Sequence, residues 1–188
     1  ALARACAALG TDEAPWALEH LAAWDQVFKG FGAKPARTPC SAQALRKRVL
    51  RDGVLPAIDP VVDLYNAISI EYAIPVGGED LAAYVGAPRL VIADGSECFD
   101  TLKEGLPIQE APAPGEVVWR DDLGVTCRRW NWRQGIRTRL SLSSPRMWFI
   151  LECLPPMPRT ALWEAGDRLI AGLTQMMPGA RIEQTLVE

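Results

Sequence analysis

The chain has 188 residues, 49% of them hydrophobic and 23% charged, with a formal net charge of −3, and that balance describes one globular domain of ordinary size. A chain this long buries roughly 70% of its unfolded surface, so it needs no disulfide or metal staple, and intrinsic disorder is excluded. No uncharged apolar run approaches the ~18 residues of a membrane span, and the opening ALARACAALG is too short and too interrupted by arginine for a signal peptide; a cytoplasmic protein with no membrane partner is expected.

The five cysteines (Cys6, Cys40, Cys98, Cys127 and Cys153) are odd in number, scattered, and without a C-x-x-C pair or neighbouring histidines. They read as reduced core thiols rather than a disulfide or zinc framework. His20 is the single histidine of the chain, which excludes a multi-histidine metal site and excludes Ser-His-Asp and Cys-His catalysis unless His20 itself serves. Lying near the apolar stripe of the first helix, it reads as a surface or packing residue. Ligand clusters and phosphate-loop motifs are both absent, so no metal and no organic cofactor is implied. Chemistry then has to run on carboxylates, hydroxyls, backbone amides or groups that the substrate brings.

From Thr11, a candidate N-cap followed by Asp12 and Glu13, the spacing of Leu18, Leu21, Trp24 and Phe28 predicts an amphipathic helix that stops at Gly30. A second helix starts at Ser41, carries Ala44, Leu45 and Val49 on one side, turns Arg46, Lys47, Arg48 and Arg51 outward and ends at Gly53. The third begins at Asp59-Pro60, an N-cap followed by proline at the first helical position, and buries Val61, Leu64, Tyr65, Ile68 and Tyr72. Asn66 and Glu71 lie off that stripe, and the helix stops before Pro75, because the residue preceding a proline disfavours the helical conformation. Val76-Gly77-Gly78-Glu79-Asp80 then reads as a loop.

Beyond Leu81 the β-branched and aromatic runs Arg89 to Ala93, Glu116 to Arg120, Val125 to Trp130, Arg137 to Leu142 and Met147 to Cys153 predict strands. Turns at Asp94-Gly95, Ala113-Pro114-Gly115 and Asp122-Leu123-Gly124 separate them. A helix from about Thr160 to Met176 and an alternating segment through Ala180, Ile182, Gln184 and Leu186 complete the chain. This order predicts an α+β domain with helices packed on a mainly antiparallel sheet. With no internal repeat and no linker, residues 1–188 read as one domain.

Three features can carry chemistry. Between Leu123 and Leu151 stand six arginines (Arg128, Arg129, Arg133, Arg137, Arg139 and Arg146) and no acidic residue, with Trp130-Asn131-Trp132 interleaved. Guanidinium forks beside aromatic faces suit phosphate and base recognition; outward arginines paired with the acidic remainder of the chain are the alternative. The Gly77-Gly78 pair can bring backbone N–H groups close to an oxygen, with Glu79 and Asp80 following at once, or it can be a plain helix-to-strand connection. Glu152 closes the apolar run Met147 to Leu151, and strand alternation sets it on the face of Trp148 and Ile150. There a partly desolvated carboxylate can accept a proton or hydrogen bond; pairing with an arginine is the alternative.

The blocks PAIDPVVDLYNAISIEYAIPVGGEDL, GEVVWRDD, CRRWNWRQGIRT and RMWFILEC resemble the free-standing B3/B4-domain proteins, relatives of the editing domain of the phenylalanyl-tRNA synthetase beta subunit. The resemblance covers about Leu21 to Leu154 and implies the α+β editing-domain fold, with a cleft that hydrolyses a wrongly attached amino acid from tRNA. Val62-Asp63-Leu64-Tyr65-Asn66 matches the family's V-D-x-x-N, and Pro75 with Asp80 matches the frame of its proline and H-A-F-D. The family histidine falls on Gly77, and the family's pocket glutamate falls on Glu152.

Together these readings lead to a trans-acting aminoacyl-tRNA deacylase. Its expected catalytic group is Gly77 and Gly78 as backbone donors, Glu152 as recogniser of the amino acid and Asn66 as orienter of the loop. Glu79, Asp80, Asn131, Trp132 and Thr138 are expected to contact the substrate. Arg128, Arg129, Arg133, Arg137 and Arg139 are expected to hold the phosphates of an aminoacylated tRNA acceptor end; no DNA partner is expected. Two other readings stay open: a non-catalytic module that keeps the fold and binds RNA or a free amino acid, and hydrolysis of a small aminoacyl ester or amide, should the arginines be internally paired.

Overall fold

The computed structural model describes residues 1–187. Among them five helices and eight strands follow the order α1 (Leu2–Ala8), α2 (Ala17–Gly30), α3 (Ser41–Asp52), α4 (Pro60–Tyr72), β1 (Val76–Asp80), β2 (Arg89–Ile92), β3 (Phe99–Lys103), β4 (Leu106–Glu110), β5 (Val117–Arg120), β6 (Val125–Arg128), β7 (Arg133–Gln134), β8 (Met147–Leu151) and α5 (Arg159–Met176). β1 and β8 form an antiparallel pair by themselves. A second sheet runs β2-β5-β6-β3-β4 with β7 beside β6, antiparallel throughout except for β3 against β6. This is the expected α+β architecture. None of the helices is long and apolar enough to cross a membrane.

α4 is the axis of the helical layer. The Asp59 side chain accepts from Val61 N at 2.9 Å and Pro60 takes the first turn, so the helix starts where its cap chemistry predicts. Its burial is wider than one stripe, taking in Val61, Ala67, Ile68, Ser69, Ile70 and Tyr72. The reason is that α1, α3, α5 and β1 all pack on it. Ala73 adopts a left-handed φ of 51° and ends the helix two residues before Pro75.

The first two helices differ from the periodicity. α2 begins at Ala17 and not in the turn after Thr11, whose hydroxyl instead donates to Ala8 O at the end of α1, a short helix without a periodic signal. The buried set of α2 is therefore Ala17, His20, Trp24 and Phe28, and Leu18 is 82% exposed. Arg46, expected outside, is 6% exposed. One arm of its guanidinium donates to Ile70 O, an orphan carbonyl in the last turn of α4, and the other pairs with Glu13 at 2.9 Å.

His20 joins three segments. Its Nδ1 lies 2.8 Å from Ala73 O and its Nε2 accepts from Leu154 N at 3.0 Å, which fixes the Nδ1–H tautomer. Burial holds the imidazole below its usual pKa, against the raising effect of the Ala73 hydrogen bond. It is a satisfied packing residue that ties α2 to the ends of α4 and β8.

The strands show four further differences. Gly77 and Gly78 lie within β1, paired with Ile150 and Phe149. A β3–β4 hairpin, absent from the predicted strands, turns at Glu104-Gly105 with φ of 53° and 80°, the left-handed pair that tight hairpins require. Arg137 to Leu142 stays irregular apart from one bridge between Glu79 and Arg139. Ala180 to Leu186 forms no strand; Ile182 packs against the main core instead. Of the five cysteines, all free thiols, Cys6 and Cys40 are buried while Cys98 is exposed rather than in the core.

A buried carboxylate, Asp121, holds the larger sheet to its loops. Asp121, fully buried, accepts from Val85 N, Leu123 N and Gly124 N and takes both arms of Arg137 at 2.9 Å. Burial opposes its ionisation, but the Arg137 fork and the backbone donors outweigh that and hold the carboxyl at about 2. A group lowered from 3.8 contributes stability above pH ~4 that is lost as pH falls toward 2. Asp121→Asn is expected to lower stability at pH 7 by about 2–4 kcal/mol in urea denaturation, because it leaves Arg137 without its counter-charge. The gap between the two proteins should close as the pH approaches 2.

Candidate functional site

Alternation in the β1–β8 ladder decides which side chains share a face. Glu79 pairs with Trp148 and Gly77 with Ile150, so these four residues lie on one side together with Glu152, one alternation step beyond Ile150. The opposite side carries Val76, Phe149 and Leu151 into the main core. The two glycines therefore do different work. A Cβ on Gly78 would come within 2.8 Å of Leu140 and 2.9 Å of the Phe149 ring, whereas one on Gly77 would meet nothing within 4 Å. Gly77 leaves an open patch on the polar face, between the two carboxylates.

Glu152 sits at one end of that face. Its backbone N–H donates to Pro75 O, which fixes the residue just past the last β8 pair. One carboxylate oxygen accepts from Trp119 Nε1 at 3.1 Å and Trp130 Nε1 at 2.7 Å, and the other accepts from Asn131 Nδ2 at 2.7 Å. By surface area the whole residue is half-buried, but the carboxylate itself is enclosed by indoles and one amide. Desolvation raises its pKa, the three donors oppose that and the Glu79 charge adds to it, leaving the carboxyl pushed up to about 7. No arginine pairs with it; the indoles and the amide have that place.

The donors arrive by a strained turn. Arg129 and Trp130, in the connection from β6 to β7, both take left-handed φ angles (46° and 64°). Glu116 supports that turn by accepting from Arg129 N and from Arg128 Nε and Nη2. Trp130 N donates to Val117 O on β5, and the Trp130 ring stands edge-on to Trp24 with centroids 5.3 Å apart. One residue thus reaches from the α2 core to the Glu152 oxygen. Asn131 Oδ1 is buried without a hydrogen-bond partner, an acceptor facing no donor.

Glu79, 5% exposed, anchors the other end. It accepts from Thr138 Oγ1 at 2.8 Å, from Gln134 Nε2 at 3.3 Å, from Thr126 Oγ1 at 3.4 Å and from the Tyr84 hydroxyl. Burial and the Glu79 charge raise the Tyr84 pKa far above its ordinary value. The Tyr84 and Trp119 rings both stand edge-on to Trp148. Trp148 Nε1 is directed to the Tyr84 hydroxyl without completing a hydrogen bond of normal geometry. Tyr84, Thr126, Gln134 and Trp119 are the members of this site that sequence reasoning did not assign, whereas Trp148 was expected on the face of Glu152.

Other expected members fall elsewhere. The N–H groups of Gly77 and Gly78 do not converge on one oxygen: successive strand amides point in opposite directions, and Gly78 O accepts from Gln134 Nε2 on the side away from β8. Asp80 caps the short turn after β1 by accepting from Ala82 N. Asn66 is half-buried on α4 and makes no hydrogen bond to either carboxylate. Thr138 does meet the site, through Glu79. Trp132 packs against the α2 core and carries the Arg129 guanidinium 4.4 Å from its ring centroid, with Arg133 at 5.8 Å.

The six arginines do not share one face. Arg128 is buried against Glu116 and Glu110, Arg137 is taken by Asp121, and Arg133 donates to Leu102 O. Of the six, Arg139 and Arg146 are the exposed ones. Among the described residues no group of three His, Cys, Asp or Glu side chains is placed to hold a metal ion.

A glutamate whose pKa is raised from 4.5 to about 7 binds its proton more tightly in the folded chain than in the unfolded one. Stability therefore falls as pH rises through that window, by roughly 3 kcal/mol from this group. Urea denaturation between pH 4 and 8 is expected to show that fall in the native protein, and Glu152→Gln should remove it. Parallel profiles for the two proteins would mean that Glu152 titrates like an exposed carboxyl.

The family model of the B3/4 domain matches residues 23–162, a span that contains α3, α4, both sheets and the whole polar face of β1–β8. A search of curated proteins returns no match. With well over half of its length matched, and with helices and a mainly antiparallel sheet in the expected arrangement, the chain belongs to the B3/4 domain family.

Proposed function

We propose that this B3/4 domain is a trans-acting aminoacyl-tRNA deacylase, with the polar face of β1–β8 as its aminoacyl site. The observation that carries the reading is the Gly77 patch, open to a ligand and flanked on its own face by Glu152 and Glu79. An aminoacyl ester brings an ammonium group with three N–H donors, which suits a carboxylate now held by three N–H donors of the protein and beside it the unpartnered Asn131 Oδ1. Indole walls from Trp119, Trp130 and Trp148 exclude water and strengthen that attraction.

Hydrolysis of this ester needs little more than positioning. Water adds to the ester carbonyl carbon, the bond from that carbon to the ribose oxygen breaks, and the ribose oxygen takes a proton, so that free amino acid and tRNA leave. The family histidine position is Gly77, so no imidazole acts here. The neighbouring ribose hydroxyl of the substrate is the group left to orient water and assist the leaving oxygen. Glu152 binds the ammonium only as a carboxylate, so the reaction should speed up as pH rises through about 7.

The test is a deacylation screen of the purified protein against correctly and incorrectly charged tRNAs at low salt. Hydrolysis confined to one class of mischarged tRNA is expected, and Glu152→Ala should slow it by about 10²-fold, the worth of one charge-assisted hydrogen bond in a dry site. Loss of every aminoacyl bond at the buffer rate alone would remove the enzyme reading. The second reading, a non-catalytic module, draws on the same carboxylate: Glu152 already has three protein donors. Binding of a free amino acid without turnover would favour it.

A further inference from the structure

The arginines of this chain are largely consumed by its own carboxylates, but its lysines are not. There are sixteen arginines and four lysines. Three of the four, Lys29 at the end of α2, Lys34 in the connection that follows and Lys47 on α3, line one cleft of about 510 Å³ together with Asp25, Ala33, Pro35 and Ala36. A smaller recess of about 190 Å³ continues it and is lined by Lys34, Arg37, Thr38 and Arg129. Lys29, Lys34, Arg37 and Lys47 are all exposed and have no ion-pair partner among the described residues. Five cations against one acid give this lining a charge of +4 in a chain of −3.

The frame under these cations is rigid. Lys34 O accepts from Arg37 N, Thr38 N and the Thr38 hydroxyl, Pro35 is buried, and Ala33 of the lining packs against the aromatic cluster of Trp24 and Phe28. The recess ends at Arg129. There the two consecutive left-handed residues divide the chain's direction: the Arg129 side chain lines the recess, and the Trp130 indole reaches Glu152. The turn at Arg129 and Trp130 thus links the recess to the polar face of β1–β8.

We infer that the cleft between α2 and α3, lined by Lys29, Lys34, Arg37, Lys47 and Arg129, is the track that holds the RNA backbone while the aminoacyl end lies over Gly77. Three lysines and Arg37, separate, exposed and without an internal ion-pair partner, suit a chain of phosphates, while Arg129 at the end of the row is shared with Glu116 at 3.8 Å. Asp25, the one acid of the lining, is half-buried, and its carboxylate at the cleft can accept from a ribose 2′-hydroxyl, which DNA lacks. The inference takes its ligand from the deacylase reading, but it stands or falls on binding rather than turnover.

The experiment is fluorescence anisotropy with a labelled tRNA transcript and with a DNA hairpin of acceptor-stem sequence, between 50 and 200 mM salt. The protein carries Lys29→Gln, Lys34→Gln and Lys47→Gln together, and Arg139→Gln with Arg146→Gln serves as the comparison. The lysine variant should bind the transcript at least ~10-fold more weakly at 50 mM salt. Its plot of log affinity against log salt should be shallower by about 2–3, close to one for each phosphate that a lysine no longer neutralises. The arginine variant should bind like the native protein, DNA should bind more weakly than RNA, and the urea midpoint of the lysine variant should not move.

Native affinity in the lysine variant, loss confined to the arginine variant, or equal affinity for the DNA hairpin would each overturn the track. Preferred binding of an acidic peptide or of anionic vesicles over the transcript would do the same. The two readings separate cleanly. Lysine-dependent RNA binding without hydrolysis of any charged tRNA would retain the track and lose the deacylase. Hydrolysis that Glu152→Ala abolishes and the lysine variant leaves untouched would do the reverse.

Discussion

The site depends on one enclosed negative charge. Glu152 draws an indole from β5, an indole and an amide from the turn between β6 and β7, and its own position from the end of β8. These segments belong to two sheets that share no continuous ladder. A carboxylate in such surroundings persists only if it is well supplied with donors, because desolvating it alone costs several kcal/mol. The need for donors is therefore what gathers Trp119, Trp130 and Asn131, and through Trp130 it couples the site to the core of α2. Left-handed backbone at Arg129 and Trp130 is tolerated because Glu116 and Val117 hold both ends of the turn.

Local chemistry was legible in the sequence and long-range pairing was not. The start of α4 could be read from Asp59-Pro60, since a cap and its helix are neighbours in the chain. The common face of Trp148, Ile150 and Glu152 could be read from alternation alone. Gly77 and Gly78 read as a loop because glycine lacks strand propensity; pairing with β8 overrode that, and Gly78 is needed where Leu140 and Phe149 approach the backbone. Tyr84, Thr126 and Gln134 had no signal, as they come from three separate elements and meet only at Glu79. The arginine-rich segment misleads for a similar reason: its charges look unopposed along the chain, and their partners Glu110, Glu116 and Asp121 lie outside it.

Arginine and lysine have separate tasks in this chain. Planar forks take both oxygens of Asp121 and of Glu116, and in doing so pin loops to the larger sheet. Those carboxylates fall below the ordinary range although burial opposes it, so the pairs work as internal fasteners. The lysines, compact and well hydrated, are left to the surface. A chain with overall negative charge can in this way present one positive cleft built mainly on lysines, with Arg129 alone shared between the cleft and a structural carboxylate.

The same division makes the surface chemically uneven. Primary amines other than the N-terminus number four in the sequence, and three of them open on a single cleft. Any reagent or enzyme that acylates lysine would therefore find three of its four targets at that cleft, cutting the charge of the lining from +4 to +1 while leaving the ion pairs that hold the fold untouched. A protein whose own proposed substrate is an activated acyl ester thus carries most of its primary amines beside the proposed path of that ester.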